Sequence, residues 1–132
     1  MAFEAAVSLH RVIVGPMRVL IVKMSSMGDV VHAQPVANDL VARYPGCQID
    51  WVVEQAFAPI VRLNPAVAQV LPIAWRRWRR RLRDREVRDQ LRDFRAALRA
   101  TRHDWIIDCQ GLVKSAAVVR LARGEHRVGL DW

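Results

Sequence analysis

Short apolar runs rich in β-branched residues alternate with segments of helical period, and this alternation restricts the fold more than any other feature of the chain. Arg18-Val-Leu-Ile-Val22 is apolar at successive positions, as a strand covered on both faces must be. Residues 48–53, 69–73, 104–108 and 126–129 read as four further strands. Between them, residues 30–44 carry apolar side chains at 30, 33, 36, 37, 40 and 41, a helical spacing. Pro35 falls in the second turn of that segment, which predicts a late start or a kink, and Pro45-Gly46 stops it. Residues 57–63 read as a short helix closed by Asn64-Pro65. From Asp84 a helix presents Val87, Leu91, Phe94 and Leu98 on one face and Arg88, Arg92, Arg95, Arg99 and Arg102 on the other. Residues 113–122 read as a last helix, capped by Arg123-Gly124.

A β-α-β-α-β-α-β-α-β order implies an α/β, Rossmann-like fold: an open, mostly parallel sheet of about five strands with helices on both faces. Val19, Ile21, Val52, Ile106 and Ile107 are the expected core, and Pro72 makes the third strand an edge or short strand. Residues 1–16 share no periodicity with the rest. They read as an N-terminal extension, poorly ordered or packed outside the core, ahead of one domain over 17–132. They lack a basic region followed by an apolar stretch of about 7–15 residues, so they do not read as a signal peptide. No apolar run reaches about 18 residues, so no spanning helix is expected. Cys47 and Cys109 have no ligand-like spacing and read as free thiols in a reducing compartment.

Charge is distributed unevenly. Residues 75–102 hold twelve arginines and four acids, a balance of +8, whereas the remainder holds nine basic and nine acidic residues. A local excess of that size implies a polyanionic partner: nucleic acid, an anionic membrane surface, or a phosphorylated or carboxylated substrate. Arg88 to Arg102 can be read as a solvated helix face paired with Asp84, Glu86, Asp89 and Asp93. No acid lies among Arg76, Arg77, Arg79, Arg80 and Arg81, and arginine forks bind phosphate and carboxylate bidentately. Trp75 and Trp78 within that run leave open a second class of function, a basic module that stacks bases or meets an anionic membrane.

In a doubly wound sheet of order 3-2-1-4-5, ligands bind beyond the carboxyl ends of the first and fourth strands, where the winding reverses. Two polar, glycine-containing loops fall there: Ser25, Ser26, Met27, Gly28 and Asp29 after the first strand, and Gln110, Gly111 and Lys114 after the fourth. Neither is a dinucleotide or P-loop fingerprint, which argues against a dehydrogenase and against a nucleoside triphosphatase. Gly28 reads as a tight turn or a point of close ligand approach. Asp29 is either an N-cap or a general base. Asp108 solvates a strand end, Lys114 pairs with an anion or with Asp29 or is a surface lysine, and His32 is a packing or hydrogen-bonding residue.

Met17-Arg-Val-Leu-Ile-Val-Lys-Met-Ser-Ser-Met-Gly-Asp-Val-Val-His32 resembles the opening of the lipopolysaccharide heptosyltransferase I family, within glycosyltransferase family 9. Ile49-Asp-Trp-Val-Val-Glu54, Pro72-Ile-Ala-Trp-Arg-Arg-Trp-Arg79, Asp108-Cys-Gln-Gly-Leu-Val-Lys-Ser-Ala116 and Gly129-Leu-Asp-Trp132 resemble later motifs of the same family, in its order and spacing. The resemblance implies an inverting glycosyltransferase of GT-B architecture, of which this chain is the N-terminal, acceptor-binding half. It implies ADP-heptose as donor, Kdo of the lipid A inner core as acceptor, and a cytoplasmic location peripheral to the anionic inner membrane. It places the catalytic base at Asp29 and acceptor binding at Arg76, Arg77, Arg79 and Arg80. No metal, no cofactor and no nucleic acid partner are implied. A second, donor-binding domain belongs to the family pattern, so little activity is expected of this chain alone.

Overall fold

A computed structural model describes residues 16–129. Five parallel strands form one sheet in the order β3-β2-β1-β4-β5. They are β1 (Arg18–Val22), β2 (Gln48–Glu54), β3 (Val67–Ile73), β4 (Arg102–Asp108) and β5 (Arg123–Gly129). The helices are α1 (Met27–Arg43), α2 (Ala58–Arg62, after a 3-10 turn at Gln55–Phe57), α3 (Trp75–Trp78), α4 (Arg85–Ala100) and α5 (Val113–Leu121). The expected sheet, strand number and order are those observed. Residues 1–15, and with them nearly all of the proposed extension, lie outside the described residues, as do Leu130, Asp131 and Trp132.

Two cores follow from strand alternation. Val19, Ile21, Ile49, Trp51 and Val53 face α1 and α2. Leu20, Val22, Val52, Leu71, Ile73 and Ile106 face the opposite way, against Trp78, Val87 and Leu98 of α3 and α4 and Val118 and Val119 of α5. Of the five expected core residues, four are fully buried and Ile107 is half-buried against the first cluster. β1 is central, bonded to β2 on one side and β4 on the other, and Trp51 adds an indole hydrogen bond to the Lys23 carbonyl at 3.0 Å. Pro72 lies on β3, an edge strand as expected.

Three boundaries differ from the sequence reading. α1 begins at Met27, before rather than after the expected start, so Pro35 lies in its third turn. Pro35 and Val31, whose carbonyl loses its helical donor, both face solvent, where water can satisfy the oxygen. Arg102 is the first residue of β4 and not part of the arginine face of α4. α5 does not end on glycine: Ala122 is already extended and the chain runs directly into β5. Arginines do the capping instead. Arg99 Nη1 donates to the Leu121 carbonyl at 2.7 Å, and Arg127 donates to the carbonyls of Val119 and Ala122 at 3.2 and 3.0 Å. Gly124 is required for another reason: a Cβ there would lie 2.5 Å from Cδ1 of the buried Ile106.

Candidate functional site

The β1–α1 and β4–α5 loops meet beyond the carboxyl ends of adjacent central strands. Gln110 Oε1 accepts from the amides of Met24 and Ser25 at 3.1 and 3.3 Å, and Lys114 Nζ donates to Ser25 Oγ at 2.9 Å. Ser25 is therefore held from both ends by the opposite loop. The second loop is shaped by Asp108, which is buried rather than merely solvated. It accepts from the amides of Gln110 (2.9 Å) and Gly111 (3.1 Å) and from Ser115 Oγ (3.1 Å). Gly111 sits at φ 67°, a left-handed conformation that favours glycine.

Ser26, and not Asp29, is the N-cap of α1. Asp29 occupies the third helical position, and its Oδ2 accepts from Ser26 N at 3.3 Å and from Ser26 Oγ at 3.0 Å. This is the reciprocal half of a capping box. Those two bonds, joined by the charges of Lys23 and His32, hold the Asp29 carboxyl below its ordinary range, and it is fully exposed. Gly28 does not make a tight turn. It lies in the first turn of α1 without a positive φ, and nothing approaches within 4 Å of where its Cβ would be. His32 is exposed, not packed. Lys114 goes to Ser25 rather than to Asp29.

The arginine run divides. Arg76 follows Trp75 at the start of α3, and both backbone amides bond to the carboxylate of Glu54, the last residue of β2. Glu54 is almost wholly buried, and its Oε1 has no hydrogen-bond partner. Burial pushes its carboxyl above the ordinary range, against the opposing pull of Lys114 and Arg76. Lys114, Glu54 and Arg76 thus join the arginine run to the crevice. Arg77 turns the other way and donates to Gln90 Oε1 on α4 at 2.8 Å, a bond it shares with Trp78 Nε1. Arg79 and Arg80 are exposed in the turn after α3. Trp78 is buried beside Phe94, with ring centroids 5.8 Å apart, so it offers no face to a base.

Glu54 was missed as a site residue on sequence grounds, although a carboxylate closing a buried strand beside β1 is a readable signal. Ser115, fully buried on Asp108, carried no signal beyond its place in a motif. Among the described residues no cluster of three or more His, Cys, Asp or Glu is placed to hold a metal ion, and no helix is long and apolar enough to cross a membrane. The Cys109 thiol, half-buried behind Asp108, is pushed up by burial and by that carboxylate, which makes it a poor nucleophile.

Residues 91–132 match the family model described as glycosyltransferase family 9 (heptosyltransferase). Over 117 residues, 88% of the chain, the sequence is 50% identical to lipopolysaccharide heptosyltransferase 1 of Escherichia coli K12. It is 46% identical over 115 residues to the enzyme of the same name from Pseudomonas aeruginosa. The chain spans 36% and 32% of the lengths of these relatives. Among solved structures, the Escherichia coli heptosyltransferase WaaC with ADP superposes with a TM-score of 0.83 over 88% of this chain and 36% of that one, at 50% identity. Escherichia coli heptosyltransferase II superposes at 0.65 over 86% of this chain and 30% of that one, at 27% identity. With its sheet order, its paired loops at the winding reversal and half-identity over most of its own length, the chain is similar to the heptosyltransferases of glycosyltransferase family 9 over about a third of their length.

Proposed function

We propose that this chain forms the acceptor-side wall of an inverting ADP-heptose transferase acting on Kdo of the lipid A inner core. The observation that carries the reading is the joining of the two loops through Ser25, Gln110 and Lys114, which leaves Asp29 exposed at the crevice. A Kdo hydroxyl oxygen attacks the anomeric carbon of heptose. The bond from that carbon to the ADP oxygen breaks, ADP leaves on the opposite face, and the hydroxyl proton passes to the Asp29 carboxylate. The hydrogen bonds from Ser26 keep Asp29 ionised and so able to accept, at the cost of basicity. Exclusion of water by the bound sugar restores basicity. The open space at Gly28 lets a ligand approach the α1 N-terminus, where the helix dipole favours anions.

Arg76, Arg77, Arg79 and Arg80 receive the carboxylates and phosphates of the acceptor, with Arg76 innermost beside Glu54 and Lys114. Residues 17–132 form this unit, residues 1–16 an extension, and most donor contacts come from a second domain. The resemblance to the heptosyltransferases, with a lipid as acceptor, supports a site at the cytoplasmic face of the inner membrane with peripheral contact to it. The ADP in the solved Escherichia coli enzyme and the names of the relatives support this reading. The burial of Trp78 weighs against the base-stacking alternative.

The test is a chimera in which residues 17–132 replace the matching segment of the Escherichia coli enzyme. It should release ADP from ADP-heptose in the presence of a Kdo-bearing acceptor, and Asp29→Ala should abolish the release. A folded chimera that releases none would refute the assignment. The chain alone should release little, since few groups here can stabilise a leaving phosphate.

A further inference from the structure

A groove of about 310 Å³ runs between α4 and α5 on the face away from α1. Its walls are Trp75, Leu91, Phe94, Ala117, Val118 and Leu121, and the surface they present is almost wholly apolar. Its rim is cationic: Arg92, Arg95 and Lys114. Arg92 shares its charge with Asp89 and Asp93, at 3.5 and 3.9 Å, whereas Arg95 is exposed and Lys114 donates to the Ser25 hydroxyl within electrostatic reach of the buried Glu54 carboxyl. The groove is not isolated from the crevice. Lys114 lines it and also bonds the β1–α1 loop, and Trp75 lines it while its amide bonds Glu54.

An apolar trough with cationic side chains among its lining residues matches a ligand with an anionic head and an apolar tail. Its volume is at the lower end of small-molecule sites and is too small to seat a peptide helix. Water in the empty trough meets side chains that offer it no hydrogen bonds, so covering them is favourable. A nucleic acid strand would satisfy the rim but leave the trough empty. We infer that this groove holds an acyl chain of an anionic lipid, with the phosphorylated head at Arg95 and Lys114. The inference rests on the transferase reading only for the identity of the natural lipid, which would be the acceptor itself.

The probes are lauroyl lysophosphatidic acid, used below its micelle concentration, and glycerol 3-phosphate, which has the same head and no tail. Binding to the full chain is followed by tryptophan fluorescence and calorimetry, without donor or turnover. The lipid should bind at least about tenfold more tightly than the head alone. Ala117→Trp, at an exposed wall position, fills the trough and should erase that difference while leaving the melting temperature near that of the parent. Arg95→Glu should weaken the lipid by about tenfold and leave the fold intact. Equal binding of the two probes, or a tail preference that survives Ala117→Trp in a folded protein, would overturn the inference. So would a single-stranded oligonucleotide whose binding Ala117→Trp abolishes. An inactive chimera with tail-dependent binding would refute the transferase reading and uphold the groove; an active chimera without it would do the reverse.

Discussion

Asp29 and Glu54 are both carboxylates at the crevice, and their surroundings push them in opposite directions. Asp29 is exposed and lowered by Ser26, Glu54 buried and raised. If Asp29 acts only within the capping box, Asp29→Ala costs about 0.5–2 kcal/mol of stability and leaves turnover alone. If it is the base, the chimera loses about 10²–10⁴-fold in kcat, and Asp29→Asn, which can still accept the Ser26 bonds, loses nearly as much. We expect the second pattern, and kcat together with the melting temperature of both variants decides it. For Glu54 the sign follows from linkage. A raised folded pKa means that the native state holds a proton the unfolded chain has released, so stability falls as pH climbs from the ordinary carboxylate value through the raised one. Glu54→Gln removes this dependence and keeps an oxygen for the Trp75 and Arg76 amides. Relative to the parent it should therefore gain in melting temperature over the window from the ordinary carboxylate value of about 4.3 upward. Parallel curves would show that Glu54 does not titrate in that window. Position relative to the sheet made Asp29 visible in the sequence. Glu54 shows in the sequence only as a carboxylate closing a buried strand, because its role depends on the Trp75 and Arg76 amides and on Lys114, which come from other elements.

At the scale of elements, hydrophobic period located every strand and every helix of eight residues or more, but capping placed their ends. α1 starts early because Ser26 and Asp29 form a box ahead of the first apolar residue. α5 ends without glycine because Arg99, from the preceding helix, and Arg127, from the following strand, reach its last carbonyls. Neither effect has a period, so neither was legible beforehand. The role of Gly124 is likewise a tertiary one. Gly124→Ala would drive a methyl into Ile106 and should destabilise the chain by about 1–3 kcal/mol, as overpacking does. Combined with Ile106→Ala, the same change should cost much less. A double-mutant cycle by urea unfolding checks the coupling, and additive losses would mean that the two residues do not meet. At Gly111, alanine would have to adopt φ 67° and should cost about 1–2 kcal/mol, while loosening the loop that carries Gln110 and Lys114.

Over the whole molecule, the +8 excess of residues 75–102 is spread over two elements with different work to do. On α4 the arginines are exposed and interleaved with Asp89 and Asp93, and Arg99 is spent on the end of α5. In and after α3 no acid intervenes, and Glu54 and Lys114 connect that segment to the crevice. Charges of one sign at a crevice raise the local concentration of an anionic substrate, an effect that salt screens over about 10 Å at 0.1 M. Single exposed pairs contribute little, but several bidentate contacts in a partly dry crevice add to several kcal/mol. Changing Arg76 and Arg77 together to alanine in the chimera should therefore raise the KM for the Kdo acceptor by about tenfold or more. The donor KM should stay unchanged, and the salt sensitivity of the acceptor KM should fall, because fewer charges remain to be screened. Arg77→Ala alone should have the smaller effect and some loss of stability, since its guanidinium is already engaged by Gln90. If the double change raises only the ADP-heptose KM, the arginines serve the donor and this wall of the crevice has been assigned to the wrong substrate.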